Sequence, residues 1–363
     1  VTVFEAAAAP GGMMRYGIPR YRLPEAVLDA EIERVLSLGI ELRTGVRLGA
    51  EIDLDQLQQD FDAVIVATGL QQSKKLSIEG DELPGVQWGI ELLRATAEGQ
   101  APAVDPTVVV IGGGDVAMDV ALTALRLGAR EVTVAALEQR EQLPAHAQAI
   151  DADLAEGVSL QCGWGPRRVI GEGGRVQAVE LVRCSAVFDE AGAFNPTFAD
   201  ETRTVQTDQV ILAIGQQADL SFVGEGDESM PVDGRGLLVA DPETGQTARP
   251  GLFAAGEIAT GPGALIEAIA QGKRLAVAVD RHLGGDGRVV RAWAERPDSD
   301  GYDGARPQGF ADQQRSEDPL LPLEQRHGGF DEVVGCLDDE AAVAEARRCL
   351  CCDLERALGI EPR

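Results

Sequence analysis

The sequence predicts an α/β protein assembled from βαβ units, and three observations predict it. Short apolar runs recur along the chain, and each stops at a glycine-containing loop. Stretches with helical spacing of apolar residues separate them. The runs are continuous rather than alternating, which is the pattern of strands buried on both faces, as in parallel sheets covered by helices. At 363 residues the chain is long enough for two domains. Its 44% hydrophobic content supplies real cores and excludes wholesale disorder.

In chain order, a strand over Thr2–Phe4 stops before Glu5, and a helix follows over Pro24–Leu38. A second run, Ala63–Ala67, meets Thr68-Gly69, and a third, Thr107–Ile111, meets Gly112-Gly113-Gly114. A helix over Val116–Leu127 is ended by Gly128, and the strand Glu131–Ala136 comes next. Two later runs, Gln209–Ile214 and Leu252–Ala255, meet Gly215 and Gly256, and a helix over Ala264–Leu283 ends at Gly284. Ligands of such sheets sit beyond the carboxyl ends of the strands, where these glycines fall. From Gly284 to Glu340 the chain is rich in Gly, Pro, Asp and Arg, and reads as extended or loop-like, wrapping the body or touching a partner. Helical character returns over Asp339–Leu358.

Sixty acidic against 32 basic side chains leave a net charge of −28. The only lysines are Lys74, Lys75 and Lys273, the other basic residues being arginine. A surface so negative repels phosphates and anionic lipid, which excludes nucleic acid and lipid surfaces as partners. No apolar run reaches the roughly 20 residues of a membrane span. No signal peptide is visible, so a cytoplasmic location is the expectation. Of the six cysteines, Cys162 and Cys184 stand alone, while Cys336, Cys349, Cys351 and Cys352 crowd the tail. A disulfide framework belongs to small, core-poor secreted domains, so these read as reduced thiols or as metal or redox ligands.

The sharpest motif is TVVVIGGGDVAMD over Thr107–Asp119. A strand enters a GxGxxA turn and a helix follows directly, which is the arrangement that grips a dinucleotide diphosphate. Gly112 permits the tight turn, Gly114 lets backbone approach the diphosphate, and Ala117 keeps helix and strand close. The helix N-terminus offers free N–H groups and a partial positive charge. After the next strand, Glu138 stands where a carboxylate accepts from both ribose hydroxyls and repels a 2′-phosphate, which favours NAD(H) over NADP(H). The alternative is a solvated Glu138, with Arg140 holding the phosphate.

Thr2–Glu5 reads as the second strand of another such unit, with Glu5 placed for an adenosine ribose. Further along, TARPGLFAAGE (Thr247–Glu257) and the glycines after it look like a segment that closes over a second dinucleotide. Together with PGGMMRYGIPRYRLP (Pro10–Pro24), VATG (Val66–Gly69), the GGGDVAMD turn and ILAIGQ (Ile211–Gln216), these motifs carry a resemblance. The chain resembles the small subunit of glutamate synthase and its relatives, NAD(P)H-dependent flavoprotein reductases that also occur in multi-subunit redox complexes. The likeness runs from Val1 to about Gly284. It implies two Rossmann-like dinucleotide-binding domains, with the NAD domain (residues 104–232) inserted between two parts of the FAD domain (1–103 and 233–284). A loop-rich extension with a cysteine-bearing helix occupies 285–363. By the resemblance, Glu5, Gly12, Arg15, Val46, Ala67, Thr68, Gly69, Gly256, Glu257 and Leu265 contact FAD. Gly112, Gly114, Asp115, Val116, Glu138 and Gly215 contact the nicotinamide nucleotide.

Three residues depart from the family pattern. Glu257 and Asp115 stand where Asp and Asn are usual, and Leu137-Glu138 replaces the arginine pair of NADP-preferring members, which supports NADH. A family member also carries its own strand–GxGxxG–helix about 30 residues before Glu5. The sequence lacks it, so the chain reads as truncated at its N-terminus and is expected to hold FAD poorly.

Hydride transfer from nicotinamide to flavin needs no acid–base triad, so His146, His282 and His327 read as ordinary surface or core histidines. Cys162 and Cys184 lack the spacing of a redox pair and read as buried thiols. In the tail, RRCLCCD (Arg347–Asp353) places Cys349 and Cys352 three positions apart on the expected helix, on one face. Relatives carry a similar RCLxCD tail near iron–sulfur centres. Two readings stay open: Cys349 and Cys352 ligate a cluster such as 4Fe-4S, or they are free helix thiols. The expected function is transfer of electrons from NADH through FAD to an iron–sulfur protein or redox partner subunit. The competing expectations are a stand-alone reductase of a small acceptor and a non-catalytic NAD-binding adaptor.

Overall fold

The computed structural model describes residues 1–224, 227–288, 305–306 and 308–349. The N-terminal part contains β1 (Thr2–Glu5), α1 (Gly12–Tyr16), α2 (Glu25–Leu36), β2 (Glu41–Thr44), α3 (Leu54–Asp60), β3 (Val64–Val66) and β4 (Gln72–Ser73). The central part runs β5 (Val86–Trp88), α4 (Gly89–Ala97), β6 (Thr107–Ile111), α5 (Asp115–Arg126), β7 (Glu131–Ala136), α6 (Ala147–Ala155) and β8 (Ser159–Cys162). Three long strands follow, β9 (Trp164–Glu172), β10 (Arg175–Phe188) and β11 (Phe194–Gln206), then β12 (Gln209–Leu212) and β13 (Gln216–Gln217). The chain continues through β14 (Leu252–Ala254), α7 (Glu257–Thr260), α8 (Leu265–His282), α9 (Leu323–Arg326) and α10 (Asp339–Ala346).

β5, β12, β6, β7 and β8 form, in that order, one parallel sheet. From β6 the chain moves outward through β7 and β8, and only β12 returns to the other flank of β6. The strand order therefore reverses between β6 and β12, and the crevice of such a sheet opens at that point. Val108–Ile111 and all of β12 are buried, as expected of strands covered on both faces. α5 presses small residues, Ala117, Ala121 and Ala124, against the sheet with no exposure, which brings the helix axis close to β6.

The N-terminal part holds two separate parallel ladders, β1 with β2 and β3 with β14. Leu54, Leu57, Val66, Leu252 and Ile258 form the core beside the second ladder. The two-residue ladder of β4 with β13 ties the segment leaving β3 to the segment leaving β12. β9, β10 and β11 form an antiparallel sheet that the run-and-glycine pattern did not predict. β11 is exposed at almost every residue, so its sequence lacks the apolar runs by which the other strands are recognised.

The extension after α8 follows the expected wrap in one place and departs from expectation in another. Residues 319–335 fold into a strap: Leu321 N donates to Val333 O, Gly335 N to Pro319 O, and Val333 N to Tyr21 O. Phe330 stacks on Tyr21 at 6.4 Å. Arg326, buried, pairs with Glu156 at 3.5 Å. The cysteine-bearing helix is shorter than expected. Asp338 caps α10 by accepting from Ala341 N, but the helix ends at Ala346, and Cys349 lies beyond it. The shared helical face assumed for Cys349 and Cys352 therefore fails at Cys349, and Cys352 lies outside the described residues.

Under the strap lies a buried charge cluster. Tyr21 donates to Asp119 at 3.3 Å, Arg126 lies 4.0 Å over the Tyr21 ring, and Arg126 pairs with Glu156 at 2.8 Å. Burial pushes the Asp119 carboxyl up to about 7 and the Asp153 carboxyl up to about 9. Neither Asp153 oxygen has a hydrogen-bond partner among the described residues.

Candidate functional site

The turn from β6 into α5 stands at the reversal of strand order. Gly112 has φ +144°, a backbone geometry that side-chain-bearing residues rarely adopt. A Cβ there would lie 2.9 Å from the Ala213 carbonyl carbon and closer still to its oxygen. That carbonyl belongs to the residue that follows β12, so the glycine lets two strands meet at the mouth of the crevice. At Gly114 a Cβ would meet nothing within 4 Å, so the turn is open on the side where backbone amides face a ligand. Gly114 caps α5 with no side-chain hydrogen bond, which leaves the helix N-terminus available to an anion. Val116 packs half-buried against the core and keeps α5 seated.

Glu138, two residues after β7, comes back to this turn: its Oε2 lies 2.9 Å from where a Gly113 Cβ would stand. Arg140 pairs with Asp151 at 3.0 Å. Gly215, at φ +107°, follows β12 on the opposite lip, and its carbonyl accepts from Lys74 N at 3.0 Å. The structure thus brings Gly112, Gly114, Asp115 and Glu138 together at one turn, with Gly215 three residues beyond β12, the strand that pairs with β6. Their chemistry fits a dinucleotide: free amides and a helix N-terminus for a diphosphate, and a carboxylate for ribose hydroxyls.

Asp115 is engaged by a residue the sequence reading set aside. One carboxylate oxygen accepts from His146 N at 2.9 Å, and the other lies 2.7 Å from His146 Nδ1. Ala145 N also donates to Gly113 O at 3.0 Å, so the loop before α6 is fastened across the turn. Nothing in the local sequence around His146 signals this, because Asp115 is 31 positions away.

The residues expected around FAD fall into two groups. Glu5 ends β1, with Oε1 accepting from Ala7 N at 2.8 Å and its carbonyl from Val46 N at 3.0 Å. Gly12 opens α1 at φ +51°. Arg15 is nearly buried and its guanidinium is spent, on Pro10 O, on Glu25 at 3.0 Å and on Asp29. The second group lies where β3 and β14 end. Ala67 and Thr68 are exposed, and a Cβ on Gly69 would stand 4.0 Å from Glu257 Oε2. Gly256 N donates to Gln271 Oε1 at 2.7 Å and Gly263 N to Glu257 Oε1 at 3.2 Å. Leu265 begins α8, exposed. Of these, Gly256 and Glu257 line a cleft of about 400 Å³ between the Gly256–Ala264 loop and α8, with Thr260, Glu267, Gln271 and Arg274 on its walls. Among the described residues, only the β6–α5 turn joins a strand to a helix through the GxGxxA pattern.

Among the described residues no group of three or more His, Cys, Asp or Glu side chains is placed to hold a metal ion. Cys336 and Cys349 are exposed. Cys184 is buried and Cys162 half-buried, and burial raises both thiols, which makes them poor nucleophiles. No helix among the described residues is long and apolar enough to cross a membrane.

The chain is 39% identical to the NADP(+)-dependent formate dehydrogenase subunit beta of Moorella thermoacetica, over 97% of this chain and 51% of that protein. It is 33% identical to the NAD-dependent dihydropyrimidine dehydrogenase subunit PreT of Escherichia coli K12, over 78% of this chain and 63% of that protein. The glutamate synthase [NADPH] small chain of the same bacterium is 30% identical over 76% of this chain and 61% of its own length. The chain thus spans between about half and two thirds of these relatives. In fold it matches FprA of Mycobacterium tuberculosis in complex with NADPH, with a TM-score of 0.65 at 18% identity over 78% of this chain and 77% of that one. Thioredoxin reductase of T. acidophilum gives a TM-score of 0.55 at 19% identity over 78% and 90%. Residues 15–272 match the model of one family, and the chain belongs to it: the pyridine nucleotide-disulphide oxidoreductases.

Proposed function

We propose that this chain is an NADH-dependent flavin oxidoreductase unit that takes a hydride from the nicotinamide and passes electrons through FAD to an iron–sulfur partner. The observation that carries the reading is the open Gly112–Gly114 turn at the reversal of strand order, with the Glu138 carboxylate beside it. The cofactors supply the redox chemistry. The chain's own residues bind and orient: Gly112 and Gly114 admit the diphosphate, Glu138 accepts the adenosine ribose hydroxyls, and Gly215 keeps the opposite lip free of side-chain bulk. Glu138 and the occupied Arg140 favour NADH, since a 2′-phosphate would meet a carboxylate and find its nearest guanidinium paired with Asp151.

On the FAD side, Glu5 would serve the ribose, and Thr68, Gly69, Gly256 and Glu257 the ribityl end. The relatives are named as subunits of formate dehydrogenase, dihydropyrimidine dehydrogenase and glutamate synthase, which supports a partner subunit as the electron acceptor. Cys349 and Cys352 are the ligands we assign to a tail cluster.

Anaerobically purified protein, supplied with FAD, tests the reading. NADH should reduce a one-electron dye faster than NADPH does, with flavin bleaching. Iron and acid-labile sulfide should be present in the wild type and lost in Cys349→Ser. Nucleotide binding without flavin reduction would leave an adaptor, and a preference for NADPH would reject the role of Glu138.

A further inference from the structure

Asp115 poses an electrostatic problem. It is the first residue of α5, at the helix end that must receive a diphosphate, and a free carboxylate there opposes a second anion. The structure answers with one residue. Both oxygens of Asp115 are taken by His146, one by its backbone amide at 2.9 Å and one by ring Nδ1 at 2.7 Å. The imidazole is 83% exposed, and Nε2 has no partner among the described residues. The loop that carries it is fastened to the turn itself through Ala145 N and Gly113 O. Arg140, the arginine of that loop, is paired with Asp151.

We propose that His146 is a nucleotide-binding residue, its imidazolium held by Asp115 through Nδ1–H and donating from Nε2–H to the diphosphate of the bound dinucleotide. This rests on the nucleotide reading above and names a contact within it. A doubly protonated ring donates from both nitrogens, so one side chain both neutralises Asp115 and returns a donor to the anion. Asp115 is then a positioning residue: it fixes the imidazole beside the turn and holds the loop that also carries Glu138.

Titration of the full chain with NADH and with ADP-ribose, followed by fluorescence, tests the assignment. ADP-ribose keeps the diphosphate and lacks the nicotinamide, so it isolates the contact from any effect at the redox end. His146→Gln should weaken both ligands about tenfold, the scale of one charge-assisted hydrogen bond to phosphate. His146→Arg should recover most of that loss. Asp115→Asn added to His146→Gln should bind more tightly than His146→Gln alone, because the uncompensated carboxylate is gone. Thermal melting of each variant reads the purely structural share of the clasp. His146→Gln binding both ligands within twofold of wild type overturns the proposal. So does a tenfold loss that arginine does not restore and that follows a fall in melting temperature. A wild type that binds neither ligand rejects the nucleotide reading itself and this inference with it.

Discussion

Gly112 and Gly114 stand two residues apart in one turn, yet the structure assigns them opposite liabilities. At Gly114 the backbone lies at φ −93°, which alanine adopts freely, and a Cβ would enter open space. Removing the flexibility of glycine stabilises by about 0.4–1 kcal/mol. Losing a tolerable helix cap for a poor one costs a similar amount. Gly114→Ala should therefore leave stability within about 1 kcal/mol of wild type. The new methyl group would occupy the space through which backbone reaches the diphosphate. Loss of one charge-assisted hydrogen bond, about 1.5–3 kcal/mol, weakens NADH by roughly 10- to 100-fold. At Gly112 the order is reversed. Alanine at φ +144° is strained by about 1–3 kcal/mol. Overlap with the Ala213 carbonyl, a backbone atom that cannot step aside cheaply, adds about 1–3 kcal/mol. Gly112→Ala should thus lower the first thermal unfolding transition by several degrees before any ligand is added. Scanning calorimetry of the free proteins, paired with NADH titration, reads both numbers. If Gly114→Ala bound NADH like the wild type, no diphosphate would lie against that residue, and the site would be misplaced.

Three further outcomes are expected. Glu138→Arg should invert the nucleotide preference, tightening NADPH relative to NADH by at least about tenfold in direct binding measurements; an unchanged ratio rejects the ribose contact. Asp153 and Asp119 hold protons to about 9 and about 7 when folded, well above their unfolded value of 3.8. The folded state then binds more protons, and stability falls as pH rises from about 4 toward 9. Asp153→Asn should flatten that fall, which melting curves across pH would show. Arg326→Ala removes a buried guanidinium from Glu156 while leaving Arg126 in place, and should cost about 1–3 kcal/mol. Its signature would be faster proteolytic cleavage within residues 319–335.

How far the sequence could be read follows from the range of each interaction. Strand Thr107–Ile111 was legible from the apolar run that burial on both faces leaves, and strand Glu131–Ala136 from its spacing after the GxGxxA turn. The GxGxxA turn was legible because its constraints, a positive φ and an unobstructed backbone, act within a few residues. β10 and β11 were not legible. They pair with each other over long lengths, and β11 faces solvent along nearly all of it, so its residues carry no apolar signature. In the tail, α10 stops at Ala346 with no packed apolar face to extend it, and the part of the expected helix after Cys349 lies outside the described residues.

The chain by itself determined the local devices: which runs become buried strands, where glycine must turn, and which carboxylate follows the second strand of the nucleotide unit. Only the tertiary structure decided who meets whom. It set β12 beside β6 so that Ala213 closes on Gly112, bent the loop before α6 over the turn so that His146 takes Asp115, and laid the strap across Tyr21 and Glu156. The physical reason is separation along the chain. Contacts between residues so far apart in the chain leave no periodicity behind, and they form only when buried surface on several elements is satisfied at once.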